Sequence, residues 1–535
     1  MSQDEQALQS LIAETTRVLE PLHREMCLAY WSASLTGSEE DAARAADLET
    51  RFRRTFASPE SLERLKRWRD AGTIREPLLQ RQLTLLINGH LENQMDPETL
   101  RRVVEKQRSV ETTFSNHRAS VGGRRLTDNQ INEILKTSRD SDERRAAWEA
   151  GKSVGAAVAG EILDLVELRN SVARRLGFDD FYVMALELQE QTEGDVLGIA
   201  RRFEDLSDEP FRRMRQEMDT QLAERFGLAA DRLRPWHYED PFFQEAPALE
   251  EIDLDPLFAE RSLEELTETY YNGIGLPVDD IMQRSDLYER PGKNQHAYCI
   301  DIDRRGDIRV LGNIKPTSRW MSTMLHEFGH AVYDKFVDSG LPFLLRTASH
   351  SFTTEAVAML MGRQSQEEAW LRDTLGLTPD QSRTVSGPAR RQSEMQILVS
   401  TRWMLVMIHF ERELYRNPDQ DLAHLWWDLV EEYQMVRRPE DRRTPDWASK
   451  IHIACYPVYY HNYLWGEFMA SQLRSWIDRE VLAARDDTLA NRPEVGAFLR
   501  AKIFAPGTSL RWDELLRQAT GESLNPAHFV RQFVR

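Results

Sequence analysis

The stretch "MLHEFGHAVYD", Met324–Asp334, sets two histidines four residues apart with a glutamate directly after the first. The surrounding "RWMSTMLHEFGHAVYDKFV" keeps the three-to-four residue apolar period of a helix. Pro316 precedes Thr317 and Ser318, either of which can cap its start, and the expected end is near Gly340. On such a helix His326 and His330 stand one turn apart on one face, so both imidazoles can reach a single Zn²⁺ at about 2.0–2.1 Å. Glu327 sits beside them, where it can hold a water. Two satisfied histidines on an ordinary helix would show the same spacing, so the motif alone leaves both readings open.

A catalytic zinc needs three protein ligands and one open position. Downstream, "SFTTEAVAMLMGR" starts another helix that carries Glu355. A carboxylate in a first helical turn is also what the helix dipole favours at any surface, so Glu355 too has two readings.

Most of the chain reads as helix, because 10 to 20 residue windows keep the same apolar period while Gly and Pro are sparse. The exception lies just before the motif. "HAYCIDI" (296–302) and "DIRVLGN" (307–313) flank "DRRG" and read as one hairpin with Gly306 at its turn. No repeat recurs at a fixed period.

Bulk properties narrow the function. With 535 residues and 41% hydrophobic content the chain can bury a large core. A formal net charge of −19 opposes nucleic-acid binding over the whole surface. The start of the chain shows no secretory pattern and no stretch suits a membrane span; "ILVSTRWMLVMIHF" (397–410) carries Arg402 and reads as a buried helix. Cys27, Cys299 and Cys455 are scattered, as reduced core thiols are. A cytoplasmic protein is the expectation.

Several separated stretches resemble one family, the angiotensin-converting enzyme-like HExxH zinc metallopeptidases (gluzincins), with more distant likeness to thimet oligopeptidase and the oligoendopeptidases. "MSTMLHEFGHAVYDKFVDSGLPFLLRTASHSFTTEAV" is similar to the family's zinc-binding and glutamate helices. "HLWWDLVEEYQ" with "TPDWASKIHI" resembles its paired tryptophans and lysine-x-histidine, and "VYYHNYLWGEFMASQL" its tyrosine-rich helix. "LVELRNSVARRLGFDDFY" and, more weakly, "ETTRVLEPLHREMCLAYWSASL" extend the likeness toward the N-terminus.

The resemblance implies that His326, His330 and Glu355 hold one Zn²⁺ per chain and that Glu327 is the general base. It implies His452 and Tyr463 as donors to the oxyanion, and Lys450, Tyr459, Tyr460, Ala297 and Tyr298 as substrate contacts. Lys450 would receive the peptide's terminal carboxylate, and "HAYCIDID" would be the edge strand beside the peptide, although a plain structural hairpin looks the same. Three departures stand out. Met359 occupies the place where the family often has an acid that orients a ligand histidine, with Asp334 either its substitute or a surface residue. The arginines that bind chloride in animal members have no clear counterparts, Val430 and His461 or Asn462 standing there. The extracellular setting and disulfides of those members are absent. The implied protein is a mainly α, large single-domain peptidase over residues 1–535. It has two lobes, each discontinuous in sequence, a deep central cleft and a small β hairpin near the active site. The expected substrates are oligopeptides, cut to release C-terminal dipeptides. An oligoendopeptidase on the same scaffold and a catalytically silent peptide-binding relative are the alternatives.

Overall fold

The computed structural model describes residues 2–248, 253–483 and 488–534. Helices dominate, and their starts follow local chemistry. Ser2 and Glu5 form a capping box at the head of Gln3–Thr36, and Gly37 closes that helix in the left-handed region. Pro59, Pro77 and Pro97 each open a helix at the position where a missing N–H costs nothing. Longer helices follow at Ser141–Arg175, Glu193–Phe226 and Pro379–Arg416. The last contains the 397–410 segment read as a buried helix; Arg402 there is covered, and its guanidinium reaches Asp208 at 2.5 Å and the Ser207 hydroxyl at 2.7 Å. Among the described residues no helix is long and apolar enough to cross a membrane.

The chain divides into two compact units, each assembled from three segments. The first comprises Met1–Gln94, Ile252–Ala389 and Trp465–His528; the second comprises Met95–Glu251, Arg390–Leu464 and Phe529–Arg535.

In the first unit the HExxH helix runs Ser318–Lys335, with Thr317 as its cap, its hydroxyl accepting the Trp320 N–H at 3.3 Å. One face carries Met321, Met324, Leu325, Phe328 and Val332, all buried, at the helical period. Burying a side chain such as Leu325 or Phe328 stabilises the fold by about 1.5–3 kcal/mol each. The opposite face presents His326, Glu327 and His330. The helix stops five residues short of Gly340. The Asp338 N–H donates to the Ala505 carbonyl at 3.2 Å, and the Asp338 carboxylate accepts the Gly340 N–H at 2.8 Å, so a tertiary contact and a local turn take the groups that would have continued it.

The glutamate helix, Ser351–Gly362, packs on this one at very short range. A Cβ added to Gly329, inside the motif, would lie 2.8 Å from the Ala358 Cα, and one added to Gly362 would lie 3.3 Å from the His326 Cβ. The Ser322 hydroxyl donates to the Gly362 carbonyl at 3.0 Å across the same contact.

Strands are few. Ala119–Val121 (β1) and Arg124–Leu126 (β2) form a hairpin in the second unit around Gly122 and Gly123, both at positive φ. The sequence reading missed it, although a Gly-Gly turn is a hairpin signal. The expected hairpin is present in the first unit as Tyr298–Asp301 (β3) and Ile308–Leu311 (β4), antiparallel with Tyr298 opposite Leu311 and Asp301 opposite Ile308. Arg304 and Gly306, at positive φ, make its turn. Tyr298, Ile300 and Ile302 pack with Cys27, Trp31 and Leu311. The Ile302 N–H bonds the Asp307 carbonyl, so by alternation the main-chain groups of Cys299 and Asp301 point away from β4.

Candidate active site

Residue spacing alone brings the two motif histidines together; the glycine contacts bring Glu355 to them. His326 Nε2 and His330 Nε2 stand 3.3 Å apart, and Glu355 Oε2 lies 3.7 and 3.8 Å from the two nitrogens. Two imidazole nitrogens about 2.0–2.1 Å from one tetrahedral zinc are about 3.3–3.4 Å apart, so the histidine pair already spans a tetrahedral edge. These three residues are the group of His, Cys, Asp and Glu side chains able to hold a metal among the described residues, with their ligand atoms within 4.8 Å of one another. Two imidazoles and one carboxylate are the donor set that suits Zn²⁺ in an open catalytic site.

The surroundings favour that use. His326 keeps 30% of its side chain exposed, His330 14% and Glu355 23%, so the group is recessed yet reachable. Burial holds His326 down to about 4, and burial with the neighbouring His326 holds His330 down to about 3, leaving both rings neutral and ready to donate a lone pair. Burial pushes Glu355 up to about 7. Burial, then the Glu355 charge, pushes Glu327 up to about 8, and the Cys299 N–H bonded to its carboxylate acts the other way. Two carboxylates withdrawn from water beside neutral imidazoles ask for a cation.

His330 is held at its other nitrogen as well: Nδ1 lies 2.8 Å from the Thr354 hydroxyl. Asp334 does not take that place and is not a surface residue. Burial and the charge of Asp301 push its carboxyl up to about 8, with Arg304 opposing them.

The remaining expected residues fall into two places. Ala297 leads into β3 in the first unit. Tyr298 turns its ring onto Tyr30 and Trp31, at 5.5 and 6.2 Å between centroids, and pairs its main chain with Leu311, so the outward edge belongs to Cys299 and Asp301 instead. Lys450, His452, Tyr459, Tyr460 and Tyr463 gather in the second unit. The His452 ring lies tilted against Tyr460, 5.3 Å between centroids; Tyr460 lies 5.6 Å from Tyr463, and Tyr459 and Tyr463 are 5.0 Å apart. Burial, then the Lys450 charge, lowers His452 to about 4, and its buried Nδ1 has no hydrogen-bond partner. Lys450 is extended but Ile451 is helical, so Lys450 and His452 do not share a strand. The Lys450 ammonium donates to Gln244 Oε1 at 2.7 Å, and burial lowers it to about 8. Sequence reasoning passed over Gln244 and Thr354, which belong to no local pattern.

Comparison with known families agrees with this geometry. Residues 2–209 match the family model described as angiotensin-converting enzyme, and residues 282–535, which hold the HExxH motif and Glu355, match that of peptidase family M3. The chain belongs to this angiotensin-converting-enzyme-like and M3 group of gluzincin metallopeptidases. It is therefore a peptide-bond hydrolase with the mainly α fold of that group. The sequence reading set the motif stretch beside the angiotensin-converting enzymes first; the match there is to the M3 side of the group.

Proposed function

We propose that the protein is a zinc-dependent peptidyl-dipeptidase acting on oligopeptides, with His326, His330 and Glu355 as the ligands of one Zn²⁺ per chain. The metal reading rests on the 3.3 Å separation of the two Nε2 atoms with Glu355 Oε2 beside them. When bound, zinc supplies Lewis acidity that polarises the scissile carbonyl and makes a water nucleophilic near neutral pH.

The chain's own groups do the rest. Glu327 takes the proton of the attacking water on its carboxylate and returns it to the departing amine, so no covalent enzyme intermediate is needed. The Cys299 N–H fixes that carboxylate. The orphaned ring nitrogen of His452 and the Tyr463 hydroxyl supply hydrogen bonds to the developing oxyanion. The outward edge of β3, at the Cys299 carbonyl and continued at Ala297, offers main-chain groups to an extended peptide. Tyr459 and Tyr460 contact its side chains.

Release of dipeptides rests on Lys450. An ammonium hydrogen-bonded to a neutral amide oxygen rather than to a carboxylate suits a receptor for a peptide's free C-terminus; the amide N–H of Gln244 is itself given to Asp240. The free thiols of Cys27, Cys299 and Cys455 suit a reducing compartment, and we place the protein in the cytoplasm.

Metal analysis after chelator-free purification, combined with mass spectrometry of a mixed-peptide digest, tests this reading. About one zinc per chain, its loss in His330→Ala, and dipeptides among the products are expected. Internal cuts alone would move the protein to the oligoendopeptidases. Bound zinc without cleavage would make it a silent peptide-binding relative, and a wild type that takes up no zinc ends the reading altogether.

A further inference from the structure

The histidine ligands of a metal site need a partner at the ring nitrogen that faces away from the metal, because that hydrogen bond selects the tautomer and fixes the ring plane. By sequence the place of an expected acid holds Met359 and one acid, Asp334, is a substitute, and neither serves His330. Met359 stands where an acid was expected, and its sulfur packs 3.2 Å from the position a Cβ on Gly466 would take. Asp334 lies among Asp301, Arg304 and Cys299.

We infer that Thr354 is the positioning residue for His330, and that Thr354 and Glu355 work as a two-residue clamp. Successive residues of the glutamate helix address the two nitrogens of one imidazole: Thr354 Oγ1 lies 2.8 Å from Nδ1, and Glu355 Oε2 lies 3.8 Å from Nε2. With Nε2 bare toward the metal position, Nδ1 carries the proton and donates it to the hydroxyl oxygen. Since the Gly329 contact sets the distance between the two helices, the same close packing that delivers Glu355 also delivers Thr354.

A hydroxyl acceptor differs from a carboxylate in charge. It orients the ring without adding negative character to it, so Glu355 remains the single anion among the three proposed ligands. The inference rests on the proposed zinc reading. The zinc content of the wild type reports on that reading, and the ratio between Thr354 variants reports on this one.

The test is zinc affinity by chelator competition for wild type, Thr354→Val and Thr354→Ser, with thermal unfolding of the metal-free proteins alongside. Val keeps the shape and removes the acceptor; Ser keeps the acceptor. The expected result is a dissociation constant raised about 10–100-fold in Val and within about threefold of wild type in Ser, with metal-free melting alike in all three. In zinc-loaded protein the His330 Nδ1–H resonance should be protected from exchange in wild type and Ser and lost in Val. Wild-type zinc affinity in Val, or a loss in Val that Ser shares and that metal-free melting mirrors, overturns the inference.

Discussion

Gly329 approaches Ala358 so closely that a methyl group on it would lie 2.8 Å from the Ala358 Cα. That contact is against backbone, which cannot swing aside as a side chain can. It makes the glycine of the HExxH motif a spacer: it fixes how near the glutamate helix comes to the histidines.

Gly329→Ala should therefore push the two helices apart and lengthen the path from Glu355 to both imidazoles. Overpacking of this kind costs about 1–3 kcal/mol. The variant is expected to melt lower than wild type and to bind zinc more weakly, by calorimetry and chelator competition. Unchanged zinc affinity would show that Glu355 does not depend on this spacing.

Glu327→Gln separates base from ligand. The amide keeps the size and the hydrogen bond from the Cys299 N–H but takes no proton, so zinc content should be unchanged while turnover of a peptide falls by about 10² or more. Full activity in the amide variant would remove Glu327 from the proton path.

Much of this was legible from sequence because the rules involved are local. A four-residue histidine spacing becomes one helix face whatever surrounds it, and Thr317 caps that helix as its side chain requires. The hairpin at 298–311 announced itself by alternation and a turn glycine. What failed was non-local. The helix ends at Lys335 because Ala505, far along the chain, accepts the Asp338 N–H. Gln244 reaches Lys450 across 206 residues, and Thr354 reaches His330 only because two glycines let the helices touch. The Tyr298 ring packs against Trp31, a contact that no local pattern announces.

The Lys450 and Gln244 pair predicts a dependence on the substrate's end. A charge-assisted hydrogen bond contributes about 1.5–3 kcal/mol, so amidating a short peptide's C-terminus should slow cleavage about 10–100-fold. Lys450→Ala should erase most of that discrimination by raising KM for the free acid, with kcat less affected. Equal rates for acid and amide in the wild type would take the carboxylate away from Lys450.

Glu411 gives the pH prediction. It is buried, it accepts the Val458 N–H at 2.9 Å, and burial pushes its pKa from 4.5 up to about 8, with the Val458 bond and the Arg169 charge opposing. Val458 is held at a φ of 54°, a costly conformation for a β-branched residue, on the loop that leads into Tyr459 and Tyr460. A carboxyl whose folded pKa is raised binds its proton more tightly when folded. Its stabilising contribution is complete below the unfolded pKa of 4.5 and is lost as pH rises through about 8. Between those values the slope approaches about 1.4 kcal/mol per pH unit for this one group. Glu411→Gln keeps an acceptor for Val458 and cannot titrate, so its stability should fall less than that of wild type from pH 5 to pH 8, in denaturant titrations at each pH. Parallel curves for the two proteins would mean that Glu411 is already ionised in the fold.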